Sequence, residues 1–404
     1  MTGPRRAIVI GGSMSGLLCG LLLRRRGWEV DVYERVATEL SGRGAGIVAQ
    51  PELLARLSAL GIDTAGIGYE VKVRKLFDAT GRLTQTLPCP QTLTAWERVH
   101  RVLRRAFDVS GGRYHAGTWL KRLAQDDVGV TALFNDGTKA SAALLVGADG
   151  LRSTVRQHCD AKITPLYAGY VAWRALIRED ALAPDIHGEL FGSMSFCLPP
   201  GEQFLGYPVA GPDKDKADNH YNVVWYRPAE EHGELKRLLT DRHGVTHAIS
   251  IPPPLIRAEA VETMRTDAAR LLAPQFCAVV QLMHEPILQP VYDLESQHMA
   301  FGRVAVVGDA AFVARPHVAA GVAKAADDAE ALATALDRDS NVPAALRRFE
   351  AERLAINHRI IDRARHLGAF LQATKTEDDL ARSERHSIPA AVLAETAVLD
   401  FLRA

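Results

Sequence analysis

The sequence AIVIGGSMSGLLCGLLLRRRGWEVDVYE, residues Ala7–Glu34, sets the fold of the chain around it. Ala7–Ile10 is an apolar, β-branched run typical of a buried parallel strand, and Leu17–Arg26 has the composition of a helix. Glu29–Tyr33 predicts a second buried strand, which ends on the acid Glu34. A strand, a glycine-rich turn, a helix, a strand and an acid in this order indicate a βαβ unit that binds an ADP moiety.

The turn between the first strand and the helix has the spacing that a pyrophosphate needs. Gly11 allows a tight turn, Gly16 allows close packing of the helix on the sheet, and the free N–H groups of the first helical turn would face the phosphates. Glu34 can then accept hydrogen bonds from the adenosine ribose. Ser13 replaces the middle glycine of the G-x-G-x-x-G pattern, and its hydroxyl can itself reach a phosphate. An ordinary glycine-rich turn of another α/β protein is the alternative for this segment.

Length, charge and cysteine usage limit the class of protein. The 404 residues suffice for two or three domains, and 48 Lys plus Arg balance 48 Asp plus Glu, so no net charge attracts nucleic acid or an anionic membrane. The N-terminal apolar run is interrupted by glycines and followed by arginines, unlike a signal peptide or a membrane span. We therefore expect a soluble, cytoplasmic protein with no nucleic-acid or membrane partner. No C-x-x-C spacing points to a disulfide framework or a zinc site among the five cysteines, Cys19, Cys89, Cys159, Cys197 and Cys277.

A second glycine-rich segment, Ser41–Gln50 (SGRGAGIVAQ), precedes a helix that begins at Pro51. Its glycines, Gly46 among them, would let the backbone lie against a flat or phosphorylated ligand, and Arg43 is its only charged residue. A plain connector is an equally good interpretation of this segment by itself.

Two further turns combine glycine with an acid at the end of a buried strand. Ala142–Val146 runs into GADG, which contains Asp149, and Arg303–Val307 runs into GDAA, which contains Asp309. In open α/β sheets such turns lie at the carboxyl ends of the strands, where ligands bind. After the second turn, the segment FVARPH leads into a long alanine-rich helix over Ala319–Leu336.

The segments after Leu166 change to short aromatic and β-branched runs separated by Pro, Gly and Asp, namely Tyr167–Ile177, Leu190–Leu198, Gln203–Val209 and His220–Tyr226. This pattern predicts an antiparallel sheet that faces the substrate. His243 and His247 have i, i+4 spacing but lack the acid of a zinc motif, so we expect a surface pair and no metal.

The three turns together, in the order GGSMSG…E, GADGLRSTVR and GDAAFVARP, resemble the single-component group A FAD-dependent aromatic hydroxylases, a family of flavoprotein monooxygenases. The resemblance extends from Arg6 to about Leu371. The segments SGRGAGIVAQPE, YAGYVAWR and RPHVAAGVAKAADDA are most similar to the branch that hydroxylates hydroxypyridines. The resemblance implies an α/β fold with a Rossmann-like FAD-binding domain, an interleaved antiparallel β-sheet substrate domain and C-terminal helices.

The expected domain boundaries place the FAD-binding domain at residues 1–165, with an inserted substrate-side segment at about 70–100. The substrate domain follows at 166–295. Residues 296–375 return to the FAD domain and form C-terminal helices, and residues 376–404 form a tail to which we assign no chemistry.

The resemblance also implies cofactor contacts. Asp149 would orient both FAD and the nicotinamide cofactor, and Asp309 would hold the ribityl chain. The helix that opens near Ala319 would direct its N–H groups at the flavin N1/O2 edge, where negative charge collects on reduction. Two departures stand out: Trp96 replaces an arginine frequent in the family, and residues 317–321 (HVAAG) replace its G-Q-G. The residues expected to bind cofactor are Gly11, Ser13, Met14, Ser15, Gly16, Glu34, Arg35, Arg43, Gly46, Asp149, Asp309, Pro316, Ala320, Gly321 and Val322.

The implied reaction is hydroxylation of a small electron-rich (N-hetero)aromatic substrate with NAD(P)H and O₂ through a flavin C4a-hydroperoxide, with NADH slightly favoured over NADPH. His317, with a pKa near neutrality, is the candidate for bringing out phenolate character in the substrate; a histidine that only packs or binds backbone is an equal alternative. We expect a homodimer. The candidates for the pocket wall, with core packing as their alternative role, are Tyr170, Trp173, Arg174, Trp225 and Tyr226.

Other classes stay open on the sequence. A flavoprotein or NAD-dependent oxidoreductase without oxygen insertion would bind nucleotide, and a flavin-free one would need no Asp309 motif. A non-catalytic nucleotide-binding redox sensor would show no NAD(P)H oxidation stimulated by an aromatic ligand. The hydroxylase interpretation requires that Glu34, Asp149 and Asp309 line one cavity.

Overall fold

The computed structural model of the chain describes residues 5–38, 40, 46–211 and 218–403. Within these residues the strands are β1 (Arg6–Ile10), β2 (Glu29–Glu34), β3 (Gly46–Val48), β4 (Tyr69–Phe77), β5 (Leu83–Ala95), β6 (Arg113–Ala116), β7 (Leu120–Gln125), β8 (Val130–Phe134), β9 (Lys139–Ala142), β10 (Leu144–Gly147), β11 (Leu166–Arg178), β12 (Met194–Cys197), β13 (Gln203–Val209), β14 (His220–Pro228), β15 (Ile287–Glu295), β16 (Ala300–Phe301), β17 (Val304–Val306) and β18 (Phe312–Val313).

The α-helices of the described residues are α1 (Met14–Arg25), α2 (Pro51–Ala59), α3 (Trp96–Val109), α4 (Thr154–Cys159), α5 (Pro184–Leu190), α6 (Lys236–Leu239), α7 (Ala258–Leu271), α8 (Pro274–Gln281), α9 (Gly321–Arg338), α10 (Val342–Gly368), α11 (Glu377–His386) and α12 (Pro389–Glu395). None of them combines the length and apolarity that crossing a membrane requires. Short 3₁₀ turns cover Gly308–Ala310 and Pro316–Val318.

A six-stranded sheet, in the order β16-β17-β10-β1-β2-β6, forms the first layer. Its strands are parallel except β16, which runs antiparallel to β17. The central strands β1 and β10 are buried along almost their whole length, as apolar parallel strands are. Helix α1 begins at Met14, three residues before the predicted start, because the chain turns directly from Gly12 into the helix with Ser13 as its N-cap residue.

A nine-stranded sheet, in the order β18-β15-β11-β14-β13-β12-β4-β5-β3, forms the second layer. It is antiparallel except for the β12–β4 pair. The run 190–198, predicted as one strand, is the end of α5 followed by β12, because Gly192 and Ser193 separate them. The sheet contains strands from residues 46–95 as well as from 166–295. Sheet membership therefore does not separate the expected domains, and their boundaries stay a prediction.

Side-chain alternation divides this second sheet into two faces. Tyr170 and Ala172 of β11 pack into one apolar cluster, together with Val224 and Tyr226 of the paired strand β14. Val171 and Trp173 point the other way, into a second cluster with α7 and α8. Because the side-chain period of a strand is two, each residue's number decides which face it occupies.

The chain after β18 returns to the first layer and then crosses back. Helices α9 and α10 pack on each other, and α9 also packs on α1. Helix α12 contacts β4 and β5, so the end of the chain is docked on the second sheet. The Asn-Asp-Gly turn at residues 135–137 closes the hairpin of β8 and β9 in a small three-stranded sheet.

Candidate active site

The three glycine-plus-acid turns meet at one edge of the first sheet. Strands β1, β10 and β17 are neighbours and parallel, so their carboxyl ends lie side by side. The Ala148 N–H donates to the Ile10 carbonyl at 2.7 Å, and the Val307 N–H donates to the Gly147 carbonyl at 2.9 Å. The parallel register therefore brings together three turns that are far apart in sequence.

The turns touch so closely that two of their glycines admit no side chain. A Cβ on Gly11, whose φ is +107°, would lie 2.3 Å from the Ala148 carbonyl oxygen. A Cβ on Gly308 would lie 2.2 Å from Oγ of Ser15. Both distances are far below van der Waals contact, so these glycines are required by the packing of the turns on one another.

Glu34 holds the first turn through hydrogen bonds to the backbone. Its Oε2 accepts a hydrogen bond from the Gly12 N–H at 2.9 Å, and its Oε1 accepts one from the Val36 N–H at 2.9 Å. On the other side of the turn, Nε2 of His100 lies 3.0 Å from the Gly12 carbonyl oxygen. The phosphate-type turn is thus held from both sides before any ligand binds.

Asp149 is oriented by the start of helix α4. Its Oδ2 accepts from the N–H groups of Thr154, at 2.7 Å, and Val155, at 3.2 Å. Burial raises the pKa of this carboxyl, and these hydrogen bonds offset part of the rise. Arg156, also in the second motif, donates to the Ala310 carbonyl at 2.7 Å and so ties the second turn to the third.

A buried charge cluster supports the third turn. The Gly308 N–H donates to Oδ2 of Asp328 at 3.0 Å, and Nε of Arg353 donates to Oδ1 of the same carboxylate at 2.8 Å. Nζ of Lys324, fully buried on α9, lies 3.8 Å from Oδ2 of Asp328. Burial raises the pKa of the neighbouring Asp309, and the charge of Lys324 partly counteracts this. In this cluster the buried carboxylate of Asp328 is compensated by the positive charges of Arg353 and Lys324, in a place that water does not reach.

Two adjoining cavities open at this edge. A smaller one of about 200 Å³ is lined by Glu34, Asp149 and Asp309 together, and a larger one of about 1060 Å³ lies between the two sheets. An elongated ligand can therefore extend from one into the other. The residues that line both cavities are Arg35, Trp96, Asp149, Gly150, Arg152 and Asp309.

The amino end of α9 faces the larger cavity. Ala320, its N-cap residue, makes no side-chain capping bond, and no atom lies within 4 Å of a Cβ built on Gly321. The N–H groups of the first turn are thus open to a ligand, and an 18-residue helix presents partial positive charge there. This geometry suits a group that becomes anionic.

His317 lies in the wall of the larger cavity beside this helix. Its Nε2 is 2.9 Å from the hydroxyl of Tyr170, and its Nδ1 has no hydrogen-bond partner among the described residues. Burial, and next the charge of Arg315, lower the pKa of His317 to about 3. The pKa near neutrality expected from the sequence is therefore not what this position gives, and the imidazole is neutral at pH 7.

The residues predicted for cofactor and substrate divide between cavity and core. Met14 and Gly16 are buried residues of α1, Tyr170 lies behind His317, and Arg43 falls outside the described residues. The residues that do line a cavity are Gly11, Ser13, Ser15, Glu34, Arg35, Gly46, Asp149, Asp309, Pro316, His317, Ala320, Gly321, Val322, Arg174 and Tyr226.

Two of the pocket-wall candidates take the alternative role of core packing. Trp173 and Trp225 lie on the far face of the second sheet, directly paired with each other across β11 and β14. Nε1 of Trp225 donates to Oε2 of Glu202 at 2.8 Å, on that same far side. Each tryptophan is next in sequence to a cavity-facing residue. Because side chains alternate along a strand, the tryptophan side chain lies on the opposite face of the sheet.

Several cavity residues were not predicted. Trp96, which departs from the family pattern, lines both cavities and stacks on His100 with ring centroids 4.9 Å apart. Thr396 and Ala397 reach the larger cavity from the far end of the chain, where no local sequence signal marks them. The predicted surface histidine His247 also lines it, bound to Asp241 at 2.9 Å. Among the described residues, no group of three or more His, Cys, Asp or Glu side chains could hold a metal ion.

Comparison with known proteins identifies the family. Residues 9–79 match a family described as an NAD(P)-binding Rossmann-like domain, and residues 167–293 match one described as FAD binding domain-like. The chain is 33% identical, over 91% of its own length and 91% of the relative, to 2,6-dihydroxypyridine 3-monooxygenase of Paenarthrobacter nicotinovorans. The chain belongs to the FAD-dependent aromatic hydroxylases.

Solved structures of similar proteins confirm the hydroxylase fold. The 2,6-dihydroxypyridine-3-hydroxylase from Arthrobacter nicotinovorans has a TM-score of 0.85 and 32% identity, covering 92% of this chain and 94% of that one. The Klebsiella pneumoniae protein HpxO, solved with FAD and uric acid, has a TM-score of 0.74 over 98% of this chain and 94% of that one; at 23% identity it supports the fold alone. The predicted α/β fold class, with a Rossmann-like domain and a second sheet, is confirmed.

The residues of this hydroxylase fit FAD. Ser13 makes no capping bond at α1, so its hydroxyl and the N–H groups behind it are available for a pyrophosphate. The joined cavities accommodate a long cofactor, and the open end of α9 lies where an anionic flavin edge would be stabilised. FAD is the cofactor of this family, with NAD(P)H as its usual reductant.

Proposed function

We propose that this hydroxylase inserts one oxygen atom of O₂ into a hydroxylated N-heteroaromatic ring, a hydroxypyridine, at carbon 3. Two electrons and a proton come from NAD(P)H with a further proton from solvent, the second oxygen atom leaves as water, and NADH is the preferred donor. Bound FAD supplies the activation of O₂. The observation that carries the proposal is a cavity of mixed polar and apolar lining that faces the end of α9 and contains Arg174, an arginine without a carboxylate partner among the described residues.

Arg174 is the group that selects an acidic ring substituent. Its Nη1 donates to Oε1 of Gln289 at 2.7 Å, its Nη2 lies 3.5 Å from the Gly46 carbonyl oxygen, and its buried Nε has no partner among the described residues. A positive charge that is paired only with neutral acceptors favours the ionised form of a substrate hydroxyl. Ionisation raises electron density in the ring, which is what transfer of an electrophilic oxygen atom requires.

His317 and Tyr226 supply neutral polar contacts to the same ring. Their ring centroids are 4.3 Å apart, and both side chains are almost fully buried while lining the cavity. A neutral imidazole with an unused Nδ1 can donate or accept one hydrogen bond, according to its tautomer, without adding charge. We propose that His317 orients the substrate and does not act as a strong base.

The placement of Glu34, Asp149 and Asp309 supports cofactor roles for all three. Glu34 holds the first turn and lines the smaller cavity, whereas Asp149 and Asp309 lie where the two cavities join. We propose that Asp309 binds the ribityl chain and that Asp149 positions FAD and the nicotinamide cofactor at the junction.

The test is substrate-stimulated turnover of the FAD-loaded protein. We expect yellow protein that consumes NADH faster than NADPH when 2,6-dihydroxypyridine is added, with a product heavier by one oxygen atom that carries ¹⁸O from ¹⁸O₂. Yellow protein with NADH consumption that yields only H₂O₂ with hydroxypyridines and phenols would refute oxygen insertion.

Two arginines of the same strand allow a matched comparison. Arg174→Met should raise KM for 2,6-dihydroxypyridine about tenfold or more, because a hydrogen bond to a charged group is worth about 1.5–3 kcal/mol. Arg178→Met, on β11 but exposed and paired with Asp180, should leave KM unchanged. Equal behaviour of the two variants would remove Arg174 from the substrate site.

The assembly and location of the protein stay predictions. The expected homodimer is measured by size-exclusion chromatography with light scattering, and the cytoplasmic location by cell fractionation.

A further inference from the structure

The end of the chain forms part of the cavity wall. We define the C-terminal segment as residues 388–403, which contain helix α12 and a final 3₁₀ turn. Val392 and Leu393 of α12 are buried in the same apolar cluster as Tyr226 of the substrate cavity. Directly after the helix, Thr396 and Ala397 line that cavity, and each is about 5% exposed. The segment is thus docked against the site.

Ala397 fastens the segment to the loop that carries His317. Its N–H donates to the His317 carbonyl at 2.7 Å, and its own carbonyl accepts from Nε2 of Gln50, at 3.3 Å, and of Gln91, at 3.1 Å. Ala397 has φ +58°, a left-handed conformation that costs an alanine stability. The other described non-glycine residue with positive φ is Ala319, in the loop it binds, so both strained residues lie in this wall.

Charged side chains lock the segment from outside the cavity. Glu395 accepts hydrogen bonds from Arg363 at 2.6 Å, from Arg385 at 2.6 Å and from Nε2 of His386 at 2.7 Å. The fully buried Arg74 donates to the Leu393 carbonyl at 2.6 Å. These anchors at the C-terminal end of α12 leave Thr396, the next residue, with little freedom, so its position relative to the cavity is set by the fold.

Thr396 presents an unused polar group. No hydrogen bond joins its hydroxyl to any described residue, although the residue is almost fully buried and lines the cavity. A hydroxyl can donate and accept a hydrogen bond, which suits a ring nitrogen or a ring hydroxyl of a bound ligand. A purely hydrocarbon ring would offer this hydroxyl no hydrogen-bond partner.

We propose that Thr396, presented by the C-terminal segment, is a specificity-determining residue that hydrogen-bonds a heteroatom of the aromatic substrate, and that Ala397 positions the His317 loop. This inference rests on the proposed function and adds to it a residue from the tail, for which we predicted no chemistry.

The first experiment removes only the hydroxyl. Thr396→Val keeps the shape of the side chain, Thr396→Ser keeps the hydroxyl, and Thr131→Val is the control, since Thr131 binds Ser141 in the small third sheet. The probe is 2,6-dihydroxypyridine, with its Kd measured from the change in flavin absorbance. We expect Thr396→Val to raise Kd and KM about five- to tenfold with FAD affinity unchanged, and Thr396→Ser and Thr131→Val to resemble the wild type.

The second experiment loosens the segment without touching the cavity hydroxyl. Ala397→Gly keeps the left-handed backbone, whereas Ala397→Val cannot adopt it without strain. In FAD-free protein, amide hydrogen exchange over residues 388–403 should be faster in Ala397→Val than in Ala397→Gly. In loaded protein, Ala397→Val should release more H₂O₂ per NADH consumed.

The outcomes separate the two levels of inference. A wild type that turns over hydroxypyridines, together with Thr396→Val that matches it in Kd, KM and coupling, overturns the inference alone. Unchanged exchange and coupling in Ala397→Val overturn the positioning role. The proposed function is overturned if the FAD-loaded wild type oxidises NADH equally well without a hydroxypyridine and adds no oxygen to the ring when one is supplied. The role of Thr396 then falls with it.

Discussion

The hydroxyl of Tyr170 lies 2.9 Å from Nε2 of His317, and both side chains are almost fully buried. The guanidinium of Arg315 lies over the same tyrosine ring, 5.8 Å from its centroid, and is itself paired with Asp293. Protonation of His317 would place a second positive charge near Arg315 in a buried site, which is unfavourable. The site therefore holds a neutral imidazole by burial and by the nearby arginine, which makes it a hydrogen-bonding group at neutral pH.

Stability should depend on pH through His317. Its pKa is about 3 in the folded chain and about 6.5 when unfolded, so below pH 6.5 the unfolded state binds a proton that the folded state does not. The free energy of unfolding falls as pH falls, and between pH 7 and pH 5 this group alone accounts for about 2 kcal/mol.

Replacing the histidine isolates this contribution. His317→Gln in FAD-free protein should lose less stability than the wild type between pH 7 and pH 5, as measured by urea unfolding at each pH. The same loss in both proteins would show that His317 is protonated in the folded chain.

Gly11 should tolerate alanine much less well than another glycine of positive φ. Gly27, with φ +80°, has no atom within 4 Å of an added Cβ, whereas an added Cβ on Gly11 meets the Ala148 carbonyl oxygen. Gly27→Ala should cost about 1–2 kcal/mol for the backbone alone. Gly11→Ala should cost a further ~1–3 kcal/mol from overpacking and should weaken FAD binding. Thermal unfolding with and without FAD measures both, and equal costs at the two sites would contradict the close contact.

The adjacent acids Asp327 and Asp328 should differ sharply. Asp328→Asn leaves the buried Lys324 and Arg353 without their carboxylate, which should destabilise the protein by about 3–5 kcal/mol. Asp327→Asn removes a half-exposed pair with Arg56 and should cost less than about 1 kcal/mol. Urea unfolding of the two variants is the measurement, and a mild effect of Asp328→Asn would mean that the cluster relaxes readily.

Glu34 should contribute to FAD affinity through the turn it holds. Glu34→Gln replaces one acceptor by an amide donor that faces the N–H of Gly12 or Val36, so the turn must move. We expect the Kd for FAD to rise about tenfold or more, since hydrogen bonds to charged groups are worth about 1.5–3 kcal/mol. The control is Glu70→Gln, an exposed residue of β4. Calorimetric titration with FAD measures both variants, and wild-type affinity in both would count against the role of Glu34.

The sequence by itself determined the first layer. A β-branched run followed by glycine and an acid can be recognised locally, because each feature answers to the geometry of a few consecutive residues. The elements that end at Gly11, Asp149 and Asp309 were all predicted as buried strands followed by glycine-rich turns. Parallel pairing then left one arrangement for the three turns.

Only the tertiary structure decided the second part of the site. Trp173 and Arg174 are neighbours in sequence, yet strand alternation buries one in the far core and leaves the other in the cavity. The pKa of His317 depends on burial and on Arg315, and Thr396 reaches the cavity from nearly eighty residues further along the chain. Such contacts are long-range consequences of packing, and no periodicity or spacing in the sequence encodes them.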